Sequence, residues 1–306
     1  MKFFINSLIY RKNLSLNFLT ILLNIINPFN NYKIKKYIGR FGNNVQQITS
    51  GIIYAKLHGA NFYSKKHPLI DQIKIVNSPI QNFFKYFSKY QYFINVDMPY
   101  SNYFITKFPV DFLRNKFYIE NANLVLKNVI SKKIKFLELK DIDEDTLVIH
   151  IRGGEIFNGK NKYLSYVQNP IGYFELLIKK FDKVIIVSEN DKNPVISPLL
   201  KNDKVSFQST TMENDFNTLI SATNLATSGV GTFAMSAALM SRQLKNFYCT
   251  DIFLDDHLNP NMLDKNLVNV HMYRIYDYIK IGNWVANKEN IDMMLNRDIK
   301  IVLSET

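Results

Sequence analysis

In the second half of the chain, short apolar runs alternate with stretches in which apolar positions recur at helical spacing. Short continuous apolar runs occupy residues 147–151, 184–187, 225–227 and 247–250, which is typical of strands buried on both faces. Between them, residues 172–181, 215–222 and 232–242 show helical spacing of their apolar positions. Strands that alternate with helices predict a parallel, doubly wound α/β sheet.

The first half of the chain shows one clear helix signal. Val45, Ile48, Ile52 and Ala55 recur at helical spacing and predict a helix over residues 45–58. Gly59 is expected to end that helix, and a short strand is expected at 60–63. The segment 39–44 is predicted to be a glycine-bounded turn before the helix, and the aromatic-rich stretch 79–117 allows no assignment.

The N-terminal segment 1–37 is basic and apolar, and it stands apart from the α/β pattern. Its apolar run at 14–29 contains several asparagines, so it is short and polar for a membrane span, which needs about 20 mostly apolar residues. Asn17 and Asn24 are seven residues apart and therefore lie on one side of a helix. Two interpretations stay open: a helix lying on a membrane surface, or an ordinary core or dimer helix.

Charge and cysteine content narrow the function classes. The net charge is +12, but the lysines are spread along the chain and no recognition-helix motif occurs, so we do not expect a nucleic-acid partner. A basic face suits anionic lipid, acidic glycan or a sugar nucleotide equally well. The single cysteine excludes an internal disulfide and suits a reducing compartment. The five scattered histidines lack zinc-ligand spacing, so we expect no metal and no bound cofactor.

The strand predicted at 147–151 ends in a group of polar residues. Ligands of doubly wound sheets sit beyond the carboxyl ends of the strands, where His150 and Arg152 would point to one side. An arginine fork binds two phosphate oxygens at once, and Gly153 lets a ligand approach the backbone. The alternative role for Arg152 is an ion pair with Glu155 or Glu189.

The glycine-rich turn at 228–232 is a second candidate for binding phosphate. Ser228 and Thr232 carry hydroxyl donors, and a helix is expected to begin near Thr232, so its free N–H groups would face the ligand. Thr232 could instead serve only as an N-cap. The pattern Gly229-x-Gly231-x-x-Ala234, followed by Asp251, also fits the fingerprint of a dinucleotide-binding enzyme.

Two acidic stretches are expected to be structural. The D-x-D pattern in 141–145 precedes a strand and so belongs to the edge of the sheet away from the ligand, where a solvated turn is expected. The stretch 253–257 is expected to form a surface loop. No Walker A sequence occurs, which disfavours a P-loop kinase or ATPase.

Three blocks in order resemble motifs of the GDP-fucose-dependent fucosyltransferase superfamily, which includes α-1,2-, α-1,6- and protein O-fucosyltransferases. They are GRFGNNVQQ at 39–47, HIRGGEIF at 150–157 and SGVGTFAMSAALMS at 228–241. The chain departs from the family pattern where Glu155 replaces the usual aspartate and Gly153 a frequent second arginine. The third block is also lengthened by residues 229–231.

The resemblance implies a GT-B-like fold, in which two Rossmann-like domains face a central cleft. The expected N-terminal, acceptor-side domain covers 38–140, and the expected nucleotide-sugar-binding domain covers 141–306. The resemblance also implies inverting, metal-independent glycosyl transfer. It implies donor-binding roles for His150, Arg152, Gly153, Asn43, Ser228, Gly231, Thr232 and Phe233. Catalytic roles are expected for Arg152, Arg40 and Glu155, while Glu155, Glu189 and Asp215 all stay candidates for the general base.

The sequence therefore predicts a cytoplasmic glycosyltransferase, peripheral at the inner face of a membrane. GDP-fucose is the expected donor, and a surface glycan or lipid-linked glycan is the expected acceptor. Two other classes stay open: an NAD-dependent enzyme built on Gly229, Gly231, Ala234 and Asp251, and a non-enzymatic basic protein that binds glycan or nucleic acid.

Overall fold

The structure is a computed structural model, and it describes residues 31–57, 60–76, 96–97, 116–158 and 163–304. The apolar run at 14–29 with its two open interpretations, the cap at Gly59 and nearly all of the stretch 79–117 lie outside these residues. No helix among the described ranges is both long and apolar enough to cross a membrane.

A seven-stranded sheet organises the second half of the chain. In chain order its strands are β5 (Thr146–His150), β6 (Lys183–Val187), β7 (Val205–Gln208), β8 (Asn224–Thr227), β9 (Asn246–Thr250), β10 (Asn269–Ile275) and β11 (Ile301–Leu303). Their spatial order is β11-β10-β9-β8-β5-β6-β7, and all pairs are parallel except β10 with β11. The parallel sheet and its four predicted strands are confirmed.

Helices cover both faces of this sheet. They are α3 (Ile171–Ile178), α4 (Ile196–Leu199), α5 (Met212–Ser221), α6 (Phe233–Met240) and α7 (Lys288–Leu295). Three of them match the predicted helical stretches. Both faces of β5 and β8 are buried, which explains why these strands are apolar without alternation.

A smaller four-stranded sheet belongs to the first half. Its strands are β1 (Asn31–Lys33), β2 (Asn61–Tyr63), β3 (Lys74–Ile75) and β4 (Val96–Asp97), in the order β3-β2-β1-β4. Strands β1, β2 and β4 are parallel, whereas β3 runs antiparallel to β2. The helix α2 (Lys116–Val125) continues into a π-helical turn at Leu126–Ile130.

Helix α1 (Phe41–Leu57) begins earlier than its apolar periodicity predicts. The first helical bond joins Asn44 N–H to the Arg40 carbonyl, so residues 41–44 form the first turn of the helix. The prediction that all of 39–44 is a turn is therefore wrong. Side chains explain the early start, because the amide of Asn44 donates to the Ile38 carbonyl and Gln47 Oε1 accepts from Ile38 N–H.

One hydrophobic core joins the two halves. Ile48 of α1 belongs to the same buried cluster as Leu219 of α5 and Ala234 of α6. Gln46, also on α1, clamps a loop more than 200 residues away: its amide donates to the Asp256 carbonyl at 3.0 Å and accepts from Leu258 N–H at 3.0 Å. Helix α1 is thus fixed against the large sheet. The predicted division into domains at residue 140 stays a prediction.

Candidate active site

A cleft of about 730 Å³ lies where the N-terminus of α1 meets the carboxyl edge of the large sheet. This is the edge at which doubly wound sheets bind ligands. Residues predicted for the site that line it are Arg40, Asn43, His150, Arg152, Gly153, Glu155, Thr232 and Phe233. Segments from 39 to 233 contribute to its wall, so folding brings together residues that are distant in sequence.

Two helix N-termini meet at this cleft. A Cβ atom added to Gly42, in the first turn of α1, would lie 2.7 Å from Phe233 N and 2.7 Å from Thr232 Oγ1, at the start of α6. Only a glycine permits this approach. Thr232 Oγ1 donates to Asn43 Oδ1 at 2.7 Å, so the threonine hydroxyl links the two helices and does not cap α6.

The meeting of these helices concentrates positive potential in the cleft. The first bonds of the two helices come from Asn44 N–H and Ser236 N–H. The N–H groups of the three preceding residues in each helix therefore lack intrahelical partners. Each N-terminus also carries the positive end of a helix dipole. Two such ends side by side form a site suited to an anion.

Arg152 is held in place from several directions. Its backbone N–H donates to Ser228 Oγ, and its guanidinium lies over the Tyr166 ring, 4.4 Å from the centroid. Nη2 is 3.3 Å from Glu155 Oε1, whereas the buried Nε has no hydrogen-bond partner among the residues that the structure describes. The ion pair with Glu155, one of the predicted alternatives, is therefore present. A buried donor without a partner leaves capacity for a ligand acceptor.

Arg40 bridges two carboxylates across the cleft. Its guanidinium forms ion pairs with Glu155 and Glu189. Desolvation on its own would lower the pKa of Arg40, but the hydrogen bond that Arg40 donates to Glu189 and the charges of Glu189 and Glu155 outweigh it and raise that pKa. Glu155 consequently lies between two arginines and orients both.

His150 lines the cleft with an uncharged imidazole ring. Its ring packs against that of Phe233 with a centroid separation of 5.5 Å. Burial, followed by the charge of Arg152, lowers the pKa of His150 to about 3. The imidazole is therefore uncharged at physiological pH and offers a ring nitrogen as acceptor and an N–H as donor.

Sequence reasoning missed several cleft residues. His67 follows β2, donates from Nε2 to Asn44 Oδ1 at 3.2 Å, and accepts from Leu69 N–H at Nδ1. Tyr163 and Tyr166 form an aromatic wall beside Arg152. None of these residues belongs to a local motif, because only the tertiary fold brings them to the cleft.

Two predicted donor-binding residues lie elsewhere. Ser228 Oγ donates to Gln168 Oε1 and accepts from Arg152 N–H, so its hydroxyl supports the arginine, and Ser228 is not part of the cleft wall. Gly231 is also absent from that wall and lines a separate, much smaller pocket.

Residues 167–169 pack against the glycine turn at 228–231 that carries the dinucleotide fingerprint. A Cβ atom on Gly229 would lie 2.6 Å from the Val167 carbonyl oxygen, and Val230 N–H donates to that same carbonyl. Asn169 N–H donates to the Ser228 carbonyl at 2.7 Å. Asp251, the expected ribose ligand, accepts from Ile275 N–H and does not line the cleft. Residues 167–169 therefore occupy the backbone at 228–230, which a dinucleotide would have to approach.

The acidic stretch 141–145 takes the position expected of it, whereas the expectation of a surface loop at 253–257 is only partly met, since Asp255 alone is exposed there and His257 is buried. Residues 141–145 precede β5 and so lie at the edge of the sheet opposite the cleft. In 253–257, Asp256 accepts from His257 Nδ1 at 3.0 Å, and the loop is held to α1 through Gln46. Within the described part of the chain, no group of three or more His, Cys, Asp or Glu side chains could hold a metal ion.

Comparisons with known proteins identify no family. No family model matches the chain, and no curated protein has a matching sequence. Among solved structures, a crystal structure of POFUT1 in complex with GDP matches with a TM-score of 0.38 and 11% sequence identity. The match covers 72% of this chain and 98% of that chain.

Proposed function

We propose that the protein is a metal-independent, inverting glycosyltransferase that uses a nucleoside diphosphate sugar. GDP-fucose is the donor we propose, on the resemblance of the blocks at 39–47, 150–157 and 228–241 to the fucosyltransferase motifs. The acceptor we propose is a surface glycan or a lipid-linked glycan. The same resemblance supports a GT-B-like arrangement, with the cleft between the two sheets.

One observation carries the proposal. The N-termini of α1 and α6 meet in a cleft that also holds the guanidinium groups of Arg40 and Arg152. A diphosphate carries several negative charges on closely spaced oxygens, which forked arginine donors and free backbone N–H groups bind well. These groups are fixed before the ligand arrives, so little reorganisation is needed when charge develops on the leaving diphosphate.

The transfer step uses this arrangement as follows. A hydroxyl oxygen of the acceptor attacks the anomeric carbon, while the bond from that carbon to the phosphate oxygen breaks. The electron pair of the broken bond stays on the diphosphate, where Arg152, Arg40 and the helix N-termini stabilise it. The hydroxyl proton passes to a carboxylate. We assign this task to Glu189, because Glu155 lies between both arginines and serves to position them.

Binding measurements on the intact protein test the proposal. Thermal-shift titrations with GDP, UDP, CMP and NAD compare the ligand classes directly. A ligand at about a hundred times its Kd stabilises the folded state by about 2.7 kcal/mol. We expect stabilisation by a nucleoside diphosphate, strongest for GDP, and no stabilisation by NAD. Donor turnover is then followed as release of GDP from GDP-fucose.

Two results would contradict the proposal. Stabilisation by NAD with no effect of any nucleoside diphosphate would favour the dinucleotide-binding class. Binding of a nucleoside diphosphate that is equally strong in Arg152→Ala would separate nucleotide binding from this cleft. Lys183→Ala is a suitable control, because Lys183 is an exposed residue at the amino end of β6, away from the cleft.

A further inference from the structure

A cluster of exposed lysines lies beside the mouth of the cleft and does not belong to its wall. It consists of Lys36, Lys65, Lys66, Lys132, Lys133 and Lys135, all exposed, and we term it the basic rim. The three chain segments that carry it, 31–37, 60–76 and 131–138, contain only Asp71 and Glu138 as acidic residues. Among the described residues, no ion pair with a carboxylate involves a lysine of the rim.

Backbone and side-chain bonds hold the three segments together. Tyr37 OH donates to the Lys65 carbonyl at 2.9 Å, which joins the first segment to the second. The second and third segments are joined by Asp71 N–H donating to the Lys133 carbonyl at 2.7 Å and by the bridge between Ile70 and Ile134. The rim is therefore one continuous surface, although its lysines come from residues almost a hundred positions apart.

This surface continues directly into the wall of the cleft. Lys65 and Lys66 immediately precede His67 and Pro68, both of which line the cleft. The ammonium group of Lys135 donates to the carbonyl oxygens of the same two residues, at 3.4 Å and 3.2 Å. A molecule that reaches into the cleft past His67 must therefore pass the basic rim.

We propose that the basic rim binds the acceptor, and that the acceptor is an oligosaccharide bearing carboxylate or phosphate groups. This inference rests on the proposed function. Charge complementarity selects the class of molecule, because adjacent exposed cations with no carboxylate partners attract a polyanion. The rim lysines do not belong to the cleft wall, so the charged groups of the acceptor would bind outside the cleft while a hydroxyl-bearing part of it reaches the donor inside.

The test compares two charge-matched variants of the full chain. The rim variant combines Lys65→Gln, Lys66→Gln, Lys132→Gln and Lys133→Gln. The control variant combines Lys179→Gln, Lys183→Gln, Lys201→Gln and Lys288→Gln, which are exposed lysines outside the rim and outside the cleft wall. Both variants lose the same net charge, so a general electrostatic attraction would weaken equally in the two proteins.

The probes are a fluorescent oligogalacturonate, a phosphorylated oligosaccharide and a neutral malto-oligosaccharide of equal length. We expect the wild type to bind one or both acidic probes and not the neutral one. The rim variant should bind about tenfold more weakly and the control variant within about twofold of wild type. Raising NaCl from about 0.05 M to about 0.3 M should remove most of the difference, since exposed charges are screened.

Other outcomes would overturn the inference. Equal weakening in both variants would show that only the overall charge matters. Equal binding of acidic and neutral probes would show that the rim does not select its ligand by charge. A rim variant that lost binding to phosphatidylglycerol vesicles, with oligosaccharide binding unchanged, would make the rim a membrane contact. GDP binding is measured in parallel: its absence from the wild type would count against the proposed function, whereas its retention in the rim variant separates the acceptor surface from the donor site.

Discussion

Replacing Gly42 with alanine tests whether the paired helix N-termini form the binding site. The new Cβ would lie 2.7 Å from Phe233 N and Thr232 Oγ1 and 2.8 Å from the Thr232 carbonyl carbon. Ordinary contacts begin at 3.4 Å, so α1 and α6 would have to separate by about 0.7 Å. Two of the three clashing atoms belong to the backbone, so a rotamer change cannot relieve the overlap.

The expected loss of stability follows from this overlap. Overpacking of this kind costs about 1–3 kcal/mol, and the higher helix propensity of alanine offsets at most about 1 kcal/mol of it. Each kcal/mol lowers the melting temperature of a chain of this size by about 2–4 °C. Nucleotide affinity should fall about tenfold, which corresponds to about 1.4 kcal/mol, because the N–H groups of both helices shift away from a shared ligand.

Gly231→Ala is a closely matched control. It lies only two residues before α6, yet an added Cβ there would meet no atom of a described residue within 4 Å. Its stability and its GDP affinity should stay within about 0.5 kcal/mol of wild type. Calorimetric unfolding and GDP titration of both variants give the answer. A fully stable Gly42→Ala that binds GDP as wild type does would show that the paired helix N-termini do not form the binding site. Loss of nucleotide binding in Gly231→Ala alone would favour the dinucleotide fingerprint instead.

The remaining predictions concern charge and metal. Arg152→Ala should lose about 2–5 kcal/mol of nucleoside diphosphate binding and nearly all turnover with the fold intact, and unchanged turnover would remove this arginine from the site. Arg40→Ala should depress turnover strongly while Asp251→Ala leaves nucleotide binding unchanged; the reverse pattern would favour the NAD-dependent class. Activity should survive excess EDTA, and a strict requirement for Mg²⁺ or Mn²⁺ would contradict the metal-independent mechanism. His150 has a folded-state pKa of about 3, below the value of about 6.5 in an unfolded chain. The unfolded state therefore binds the extra proton, and the stability contribution of His150 is complete above about pH 6.5 and decreases as the pH falls towards 3. Between pH 7 and pH 5, the free energy of unfolding should fall by about 2 kcal/mol more in wild type than in His150→Gln. An equal fall in the two proteins would show that His150 is not buried as a neutral ring.

The buried parallel strands could be predicted from the sequence because burial on both faces leaves a continuous apolar run. β5 and β8 are the clearest cases. β7 was not predicted, since its residues are half-buried or exposed at the edge of the sheet and its sequence VSFQ carries no such run. β10 and β11 were missed for the same reason: most of their side chains are only partly buried, and several are polar.

The candidate site was predicted where its chemistry is local. His150, Arg152 and Glu155 follow a strand that the sequence shows clearly, so their position at the carboxyl edge could be inferred. Ser228 and Gly231 were assigned to a phosphate-binding turn, but local spacing does not show that residues 167–169 fold back over that turn. The contact between Gly42 and the start of α6 could not be predicted from the sequence either, since it joins positions 190 residues apart.

The bond between Gln46 and the loop at 256–258 determines when the cleft can exist during synthesis of the chain. Helix α1 is among the first described elements to leave the ribosome, yet the groups that hold Gln46 are made about 210 residues later. Until then the apolar side of α1, including Ile48 and Ile52, has neither its α6 partner nor its anchoring loop. A fold dominated by contacts of such long range forms slowly. A growing chain of this protein can therefore pack α1 against the elements of the first half early, but it completes the packing of that helix only after the loop at 256–258 has been made.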